Sequence, residues 1–296
     1  SKVINMKKLI KNIIKTAIRS LVNFSSATRI GQHFETLIIN SAMERCVEVS
    51  HDDFSFKFAA PNALCKWRYE TFSSKEPETL EWINAMPSES VLWDIGANVG
   101  LYSVYAAKKR NCKIWAFEPS VFNLELLARN IFINNLTNNI CIVPIALSDK
   151  LGSSQMHMTS TEWGGALSTF GKSYGWDGEE IQQVFEFKTM GVRMIDAIEI
   201  LSIPQPDYVK MDVDGIEHLI LNGGTQVLKN VKGVLIEVND AFLEQSSQCQ
   251  LLLTKSGLVL KEKRQSEMVS ASTLEFQNTF NQIWICLLYT SPSPRD

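Results

Sequence analysis

Five short runs, Val91–Ile95, Lys113–Phe117, Ile140–Val143, 207–212 and 233–238, recur through the middle of the chain with helical segments between them. A strand that is apolar at nearly every position has to be covered on both faces, and intervening helices supply the cover. The pattern therefore predicts an α/β fold, a Rossmann-like sheet that is mostly parallel with helices on both faces. Residues 281–285 read as a closing strand. With 296 residues, 45% of them hydrophobic, the chain has material for a substantial core. No apolar run approaches the ~18 residues needed to cross a bilayer.

The flanks of this pattern differ from it. Residues 1–22 carry six basic side chains (Lys2, Lys7, Lys8, Lys11, Lys15, Arg19) and no acid, whereas the remainder holds 23 basic against 32 acidic residues. Ile10, Ile13, Ile14, Ala17 and Leu21 fall at helical spacing, with the lysines mostly on the other side. The segment lacks the uninterrupted apolar stretch and cleavage site of a signal peptide, so a cytoplasmic location is expected. Such a helix either makes a weak contact with an anionic membrane surface, to which each basic residue adds ~1 kcal/mol, or docks on its own domain. Docking is the expectation, because another amphipathic stretch, 31–46, follows at once. Alternation around His51-Asp52-Asp53 predicts a hairpin. Residues 1–60 thus read as a helical and hairpin annex, 61–286 as the main domain, and 287–296, with their Ser-Pro repeat, as a junction tail foreign to the fold.

Composition narrows the chemistry. An acidic body cannot neutralise a phosphate backbone well, so no nucleic-acid partner is expected. The six cysteines show no CxxC spacing and the four histidines no paired spacing, which predicts free thiols and no metal site. Between the third and fourth runs, residues 155–158 and 184–188 read as strands flanking a Gly/Ser/Trp-rich segment, 159–178. A loop of that length inside a compact domain is more often functional than idle. Trp163, Tyr174 and Trp176 in it could form a stacking surface for a sugar ring, or simply pack among themselves.

The chemical core of the sequence is Asp94-Ile-Gly96-Ala-Asn98-Val-Gly100, directly after the first run and opening a helix. A strand, a glycine turn and a helix N-terminus together form a nucleotide-type site at the carboxyl edge of a doubly wound sheet. Glu118, at the end of the second strand, suits the two hydroxyls of a ribose. Asp94 stands just before the glycines, where a carboxylate would repel a pyrophosphate but could pair with an amino group. S-adenosylmethionine carries that amino group and no phosphate, so it is favoured over NAD, with an NAD-dependent oxidoreductase and a non-catalytic cofactor-binding module as the rivals.

These motifs, with Phe117-Glu118-Pro119, Ala146-Leu147-Ser148-Asp149, and Val209-Lys210-Met211-Asp212-Val213-Asp214-Gly215-Ile216-Glu217-His218, resemble the FkbM family of S-adenosylmethionine-dependent methyltransferases. The resemblance spans about residues 68–285 and includes Glu76-Pro77-Glu78-Thr79, which also carries helix-start signals. It implies a class I methyltransferase sheet across 61–286, usually O-methylation, and a sugar, glycan or related small-molecule hydroxyl as acceptor. It adds Ala97, Tyr102, Pro119, Ala146 and Leu147 to Asp94, Gly96, Asn98, Gly100 and Glu118 as cofactor-binding positions.

Asp212 ends the fourth run, where this topology brings it beside the first strand's tip; Lys210 shares its side of the strand by the two-residue period. Asp212, Lys210 and Glu217 are the candidate catalytic residues, with Glu217 and His218 equally readable as helix-start structure. Orientation alone can supply roughly 7–11 kcal/mol to such a transfer, and a positioned base ~10²–10⁴-fold.

Overall fold

The computed structural model describes residues 2–265 and 276–287; the greater part of the tail read above as foreign, 288–296, lies outside them. The chain divides into two compact units. The first, 1–46 with 59–61, is built on helix α1 (Lys2–Ser25) and helix α2 (Arg29–Met43). The Thr28 hydroxyl caps α2 by accepting from the Gly31 amide at 3.0 Å, and the Ser26 hydroxyl donates to the Glu35 carboxylate at 2.9 Å. A Cβ on Gly31 would overlap the Ser25 carbonyl, so glycine is what allows this tight turn. On α1 the side chains of Ile10, Ile13, Ile14 and Leu21 are 49–69% exposed.

The second unit takes in 47–58 and the rest of the chain from residue 62. Strands β1 (Cys46–His51) and β2 (Phe54–Ala59) form the expected hairpin, and the buried Phe58 ring stacks on Tyr69 at 4.6 Å. Three helices follow, α3 (Ala63–Glu70), α4 (Phe72–Lys75) and α5 (Pro77–Asn84), the last opened by a proline whose missing amide costs nothing there. Strand β3 (Val91–Ile95), helix α6 (Leu101–Arg110), strand β4 (Lys113–Phe117), helix α7 (Val121–Ile133) and strand β5 (Ile140–Val143) then wind one half of the main sheet.

Four strands of a separate small sheet come next: β6 (Ala146–Leu147), β7 (Gly152–Met158), β8 (Thr169–Phe170) and β9 (Phe185–Val192). Helix α8 (Met194–Glu199) leads back to the main sheet, whose other half comprises β10 (Tyr208–Met211), α9 (Glu217–Asn222), α10 (Thr225–Leu228), β11 (Gly233–Asn239), α11 (Leu243–Lys255), β12 (Leu258–Arg264) and β13 (Thr279–Cys286).

The seven strands lie in the order β12-β13-β11-β10-β3-β4-β5, with β13 antiparallel to both neighbours and the rest parallel. This is the predicted mostly parallel, Rossmann-like α/β sheet. Trp93, Phe117, Val209, Met211, Val234 and Ile236 are at most 1% exposed, and burying each such side chain contributes roughly 1.5–3 kcal/mol. The chain reverses its winding between β3 and β10, so the carboxyl ends of these neighbours diverge and open a crevice. Their register sets Lys210 opposite Asp94.

Candidate active site

The turn after β3 holds Gly96 at φ +81°, Asn98 at +51° and Gly100 at +81°, three left-handed residues in five. At Gly96 the close approach belongs to the protein itself, since a Cβ there would overlap the Asp212 carbonyl oxygen at the end of β10. At Gly100 it would overlap Leu127 on α7. The glycines therefore bring strand tip, neighbouring strand and helix together, and the cleft forms as a result.

That cleft is partly open to solvent. Phe117, Ile145, Ala146, Leu147, Ile216 and Ile220 give it an apolar end, while Gly96, Asn98, Glu118, Pro119 and Asp212 line the rest. Of the positions expected to hold the cofactor, Gly96, Asn98, Glu118, Pro119, Ala146 and Leu147 line this space, and Asp94, Ala97, Gly100 and Tyr102 do not. Glu118 accepts hydrogen bonds from the Asn98 and Ser120 amides, both at 2.7 Å. Burial pushes its carboxyl up to about 7, against the pull of those amides.

Asp94 is 1% exposed and accepts from the Ser103 hydroxyl at 2.6 Å, with the Lys210 ammonium 3.7 Å from its other oxygen. Lys210, 2% exposed, also lies 3.8 Å from Asp212 and 5.2 Å from the centre of the Tyr102 ring. Burial opposes its charge, but Asp94, Asp212 and Glu76 together raise its pKa. Asp212 lines the cleft with its side chain 30% exposed. Glu217 stands outside the lining: its carboxylate accepts from the Val213 amide at 3.0 Å, the Gly215 amide at 3.1 Å and the Gln245 side chain at 2.6 Å. That geometry ties down the 212–217 turn. His218 is 3% exposed, and neither of its ring nitrogens has a hydrogen-bond partner.

Two features escaped the sequence reading. Glu76 was legible as a helix-start acid within a stretch similar to the family's, with no partner named for it, yet it is 3% exposed, 2.7 Å from Lys75, and accepts from the Tyr102 hydroxyl at 2.8 Å. Burial would raise its pKa, but Lys75, Lys210 and Tyr102 hold it well below the usual carboxylate range. Glu237 on β11, which the sequence offers with Glu217 and His218 as a reserve base behind Asp212, is driven well above its usual pKa by burial, then by Asp212 and Glu76. A charged group of alternating sign thus adjoins Asp212.

The second feature is how the 159–178 segment is held. Its Gly165 carbonyl accepts from the Asn98 side chain at 2.8 Å and from Asn123 at 3.1 Å, and the Leu167 amide donates to Asp214 at 2.7 Å. Gly165, Ala166 and Ser168 consequently line the cleft. The Tyr174 ring packs edge-on against Phe242 at 5.4 Å and Trp176 lies 4.4 Å from Phe276, so these two aromatics are committed within the fold.

The residues present fit S-adenosylmethionine. Asp94 Oδ1, Asn98 Oδ1 and Ser120 Oγ are buried without hydrogen-bond partners, and all three stand on segments that frame the cleft. Most buried polar atoms in proteins are paired, so unsatisfied ones beside a cleft are suited to a polar ligand. The apolar end suits an adenine ring, and Glu118 suits a ribose diol.

Comparison with known proteins agrees. The methyltransferase FkbM domain profile matches residues 94–258. The hexuronic acid methyltransferase AglP of Haloferax volcanii is 24% identical over 196 residues, 63% of this chain and 71% of that protein. Methyltransferase sdnD of Sordaria araneosa is 35% identical over 69 residues, 23% of this chain and 27% of that one. Among solved structures, M. jannaschii TYW2 in complex with AdoMet is 13% identical with a TM-score of 0.43, covering 81% of this chain and 84% of that chain. The profile match decides for methyl transfer and against the nicotinamide alternative. Matched over more than half its length, from the carboxylate that precedes the glycine turn to the start of β12, the chain belongs to the FkbM family of methyltransferases and takes S-adenosylmethionine as its cofactor.

Proposed function

We propose that this methyltransferase acts on a hydroxyl of a sugar, glycan or related small molecule, with Asp212 as the base. The observation that carries the proposal is the position of Asp212. Of the three carboxylates lining the cleft, Glu118 and Asp214 are engaged by backbone amides, whereas Asp212 is partly exposed, with the Lys210 ammonium 3.8 Å away. Bound S-adenosylmethionine supplies an electrophilic methyl group. Asp212 accepts the proton of the acceptor hydroxyl, and Lys210, itself fixed between Asp94 and Tyr102, orients that carboxylate. Asp94 Oδ1 is available to an amino group and Glu118 to ribose hydroxyls; Ala97, Gly100 and Tyr102 shape the turn behind them. Glu217 acts at one remove, by holding the turn that carries Asp212. The free cysteines support a cytoplasmic setting.

The similarity to a hexuronic acid methyltransferase supports a sugar-derived acceptor. It also raises the question of which oxygen is methylated. A carboxylate is deprotonated already and needs no base, whereas a sugar hydroxyl does. Purified chain should be incubated with methyl-labelled S-adenosylmethionine and a panel of neutral sugars, uronic acids and glycans. Label in a base-stable ether, with turnover lowered ~10²–10⁴-fold in Asp212→Asn at nearly unchanged cofactor affinity, is the expected result. Label in a base-labile ester, with Asp212→Asn as active as the parent, would move the reaction to a carboxylate. A filled cofactor site with no turnover on any acceptor would favour a non-catalytic module.

A further inference from the structure

The two helices of the unit at the start of the chain carry large exposed apolar side chains. On α1, Met6, Leu9, Ile10, Ile13, Ile14 and Leu21 are 49–69% exposed. On α2, Ile30, Phe34, Leu37 and Ile38 are 52–85% exposed. Both sets follow helical spacing, so each helix presents a continuous apolar face. Exposed apolar surface on this scale marks an interaction site.

Charge identifies the partner. Lys11, Lys15 and Arg19 recur at every fourth position and form one stripe along α1, a helix that contains no acid. On α2 the single acid, Glu35, is occupied by the Ser26 hydroxyl at the turn. An apolar face bordered by a basic stripe matches a surface that is apolar within and anionic at its boundary, as a bilayer with acidic headgroups is. No helix among the described residues is long and apolar enough to cross a membrane, so the contact is with the bilayer surface. A second copy of the chain would set one basic stripe against another and is the poorer match.

We infer that α1 and α2 form an interfacial docking element for an anionic membrane surface, lying in the headgroup region with Lys11, Lys15 and Arg19 on phospholipid phosphates and carboxylates. An acceptor hydroxyl carried on a membrane-associated glycan or lipid would then be met at the surface.

The test is co-sedimentation of the full chain with phosphatidylcholine vesicles and with vesicles of phosphatidylcholine mixed with phosphatidylserine. Binding to the mixed vesicles, weakening as salt shortens the Debye length, is expected. In Lys11→Gln/Lys15→Gln/Arg19→Gln it should fall about fivefold per residue, or ~10²-fold in all. Ile13→Glu/Leu21→Glu should abolish it, with helical content and S-adenosylmethionine affinity unchanged in both variants as proof of folding. Absence of binding to the mixed vesicles, or equal binding by the triple variant, overturns the inference. So does a reversible dimer in sedimentation equilibrium that Ile13→Glu/Leu21→Glu dissolves in place of vesicle binding, which would assign the face to a second copy.

Discussion

Replacing Gly96 by alanine adds one methyl group at the point where β3 and β10 come closest, and its cost can be worked through. The residue sits at φ +81°, where an L side chain costs ~1–2 kcal/mol. The new Cβ would fall inside the 3.0 Å that real Cβ atoms essentially never breach, against the Asp212 carbonyl oxygen. That neighbour is backbone, so relief requires the end of β10 to move, and the Asp212 amide donates to the Ile95 carbonyl at 3.0 Å. Loss of that bond adds ~0.5–1.5 kcal/mol. The sum is about 1.5–3.5 kcal/mol, a fall in Tm of roughly 2–6 °C for a chain of this length. The catalytic effect should be larger than the stability effect suggests, because Asp212 itself is displaced, and a misplacement near 1 Å costs about 10²-fold in kcat. Gly257→Ala is the control: its φ is +86°, yet an added Cβ meets nothing within 4 Å, so it carries the dihedral cost alone. Thermal denaturation and single-turnover methyl transfer on both variants check the reasoning. Equal behaviour of the two, or Gly96→Ala with parental turnover, would refute the claim that contact with Asp212 is what requires glycine at 96.

Other consequences can be measured as directly. Asp94→Ala leaves the buried Lys210 ammonium with Asp212 as its nearest remaining carboxylate and should destabilise the fold by ~3–5 kcal/mol in chemical denaturation, more than it weakens the cofactor. An unchanged unfolding midpoint would show that the ion pair is dispensable. Glu118→Ala should cost ~1–3 kcal/mol of S-adenosylmethionine affinity by titration calorimetry, and parental affinity would remove Glu118 from the cofactor site. Stability without cofactor should fall as pH rises from about 4.5 to 7. Burial pushes the Glu118, Asp214 and Glu217 carboxyls up to about 7, so in that window the folded chain holds protons that the unfolded chain has released. A Tm that climbs across the same window would contradict it.

The main sheet was legible because its strands are buried on both faces and therefore written in nearly unbroken apolar letters. Strand β12 was not, since it lies at the sheet edge and carries Lys261-Glu262-Lys263-Arg264; such charges discourage pairing with another chain and erase the apolar signal. Strands β7 and β9 were visible by composition, and they pair antiparallel with Gln155 opposite Lys188. At the site, residue types were readable but partners were not. Asp94 announced itself by its place before the glycines, whereas its contact with Lys210 depends on β3 and β10 lying side by side 116 positions apart, as the Val91 amide and Asp207 carboxylate also do. Glu76 was hidden for the opposite reason: helix-start chemistry accounts fully for an acid there, so nothing in the local sequence signals that its carboxylate turns inward to Tyr102. The apolar face of α1 was correctly periodic, but periodicity states that a face exists and is silent on what covers it.

The small sheet between β5 and β10 has one further consequence. The chain departs at β6 and returns at β9, and these two strands run parallel and adjacent, Ala146 beside Gly191 and Leu147 beside Val192. The two ends of the excursion are clasped together before the main sheet resumes. Closing a longer excursion between fixed ends costs only about 0.6 kcal/mol per doubling of length. Whatever lies between residues 148 and 190 can therefore lengthen, shorten or change its side chains with little penalty to the sheet that carries Asp212 and Glu118. A chain built this way can exchange that wall of the cleft as a cassette while the sheet beneath it stays the same.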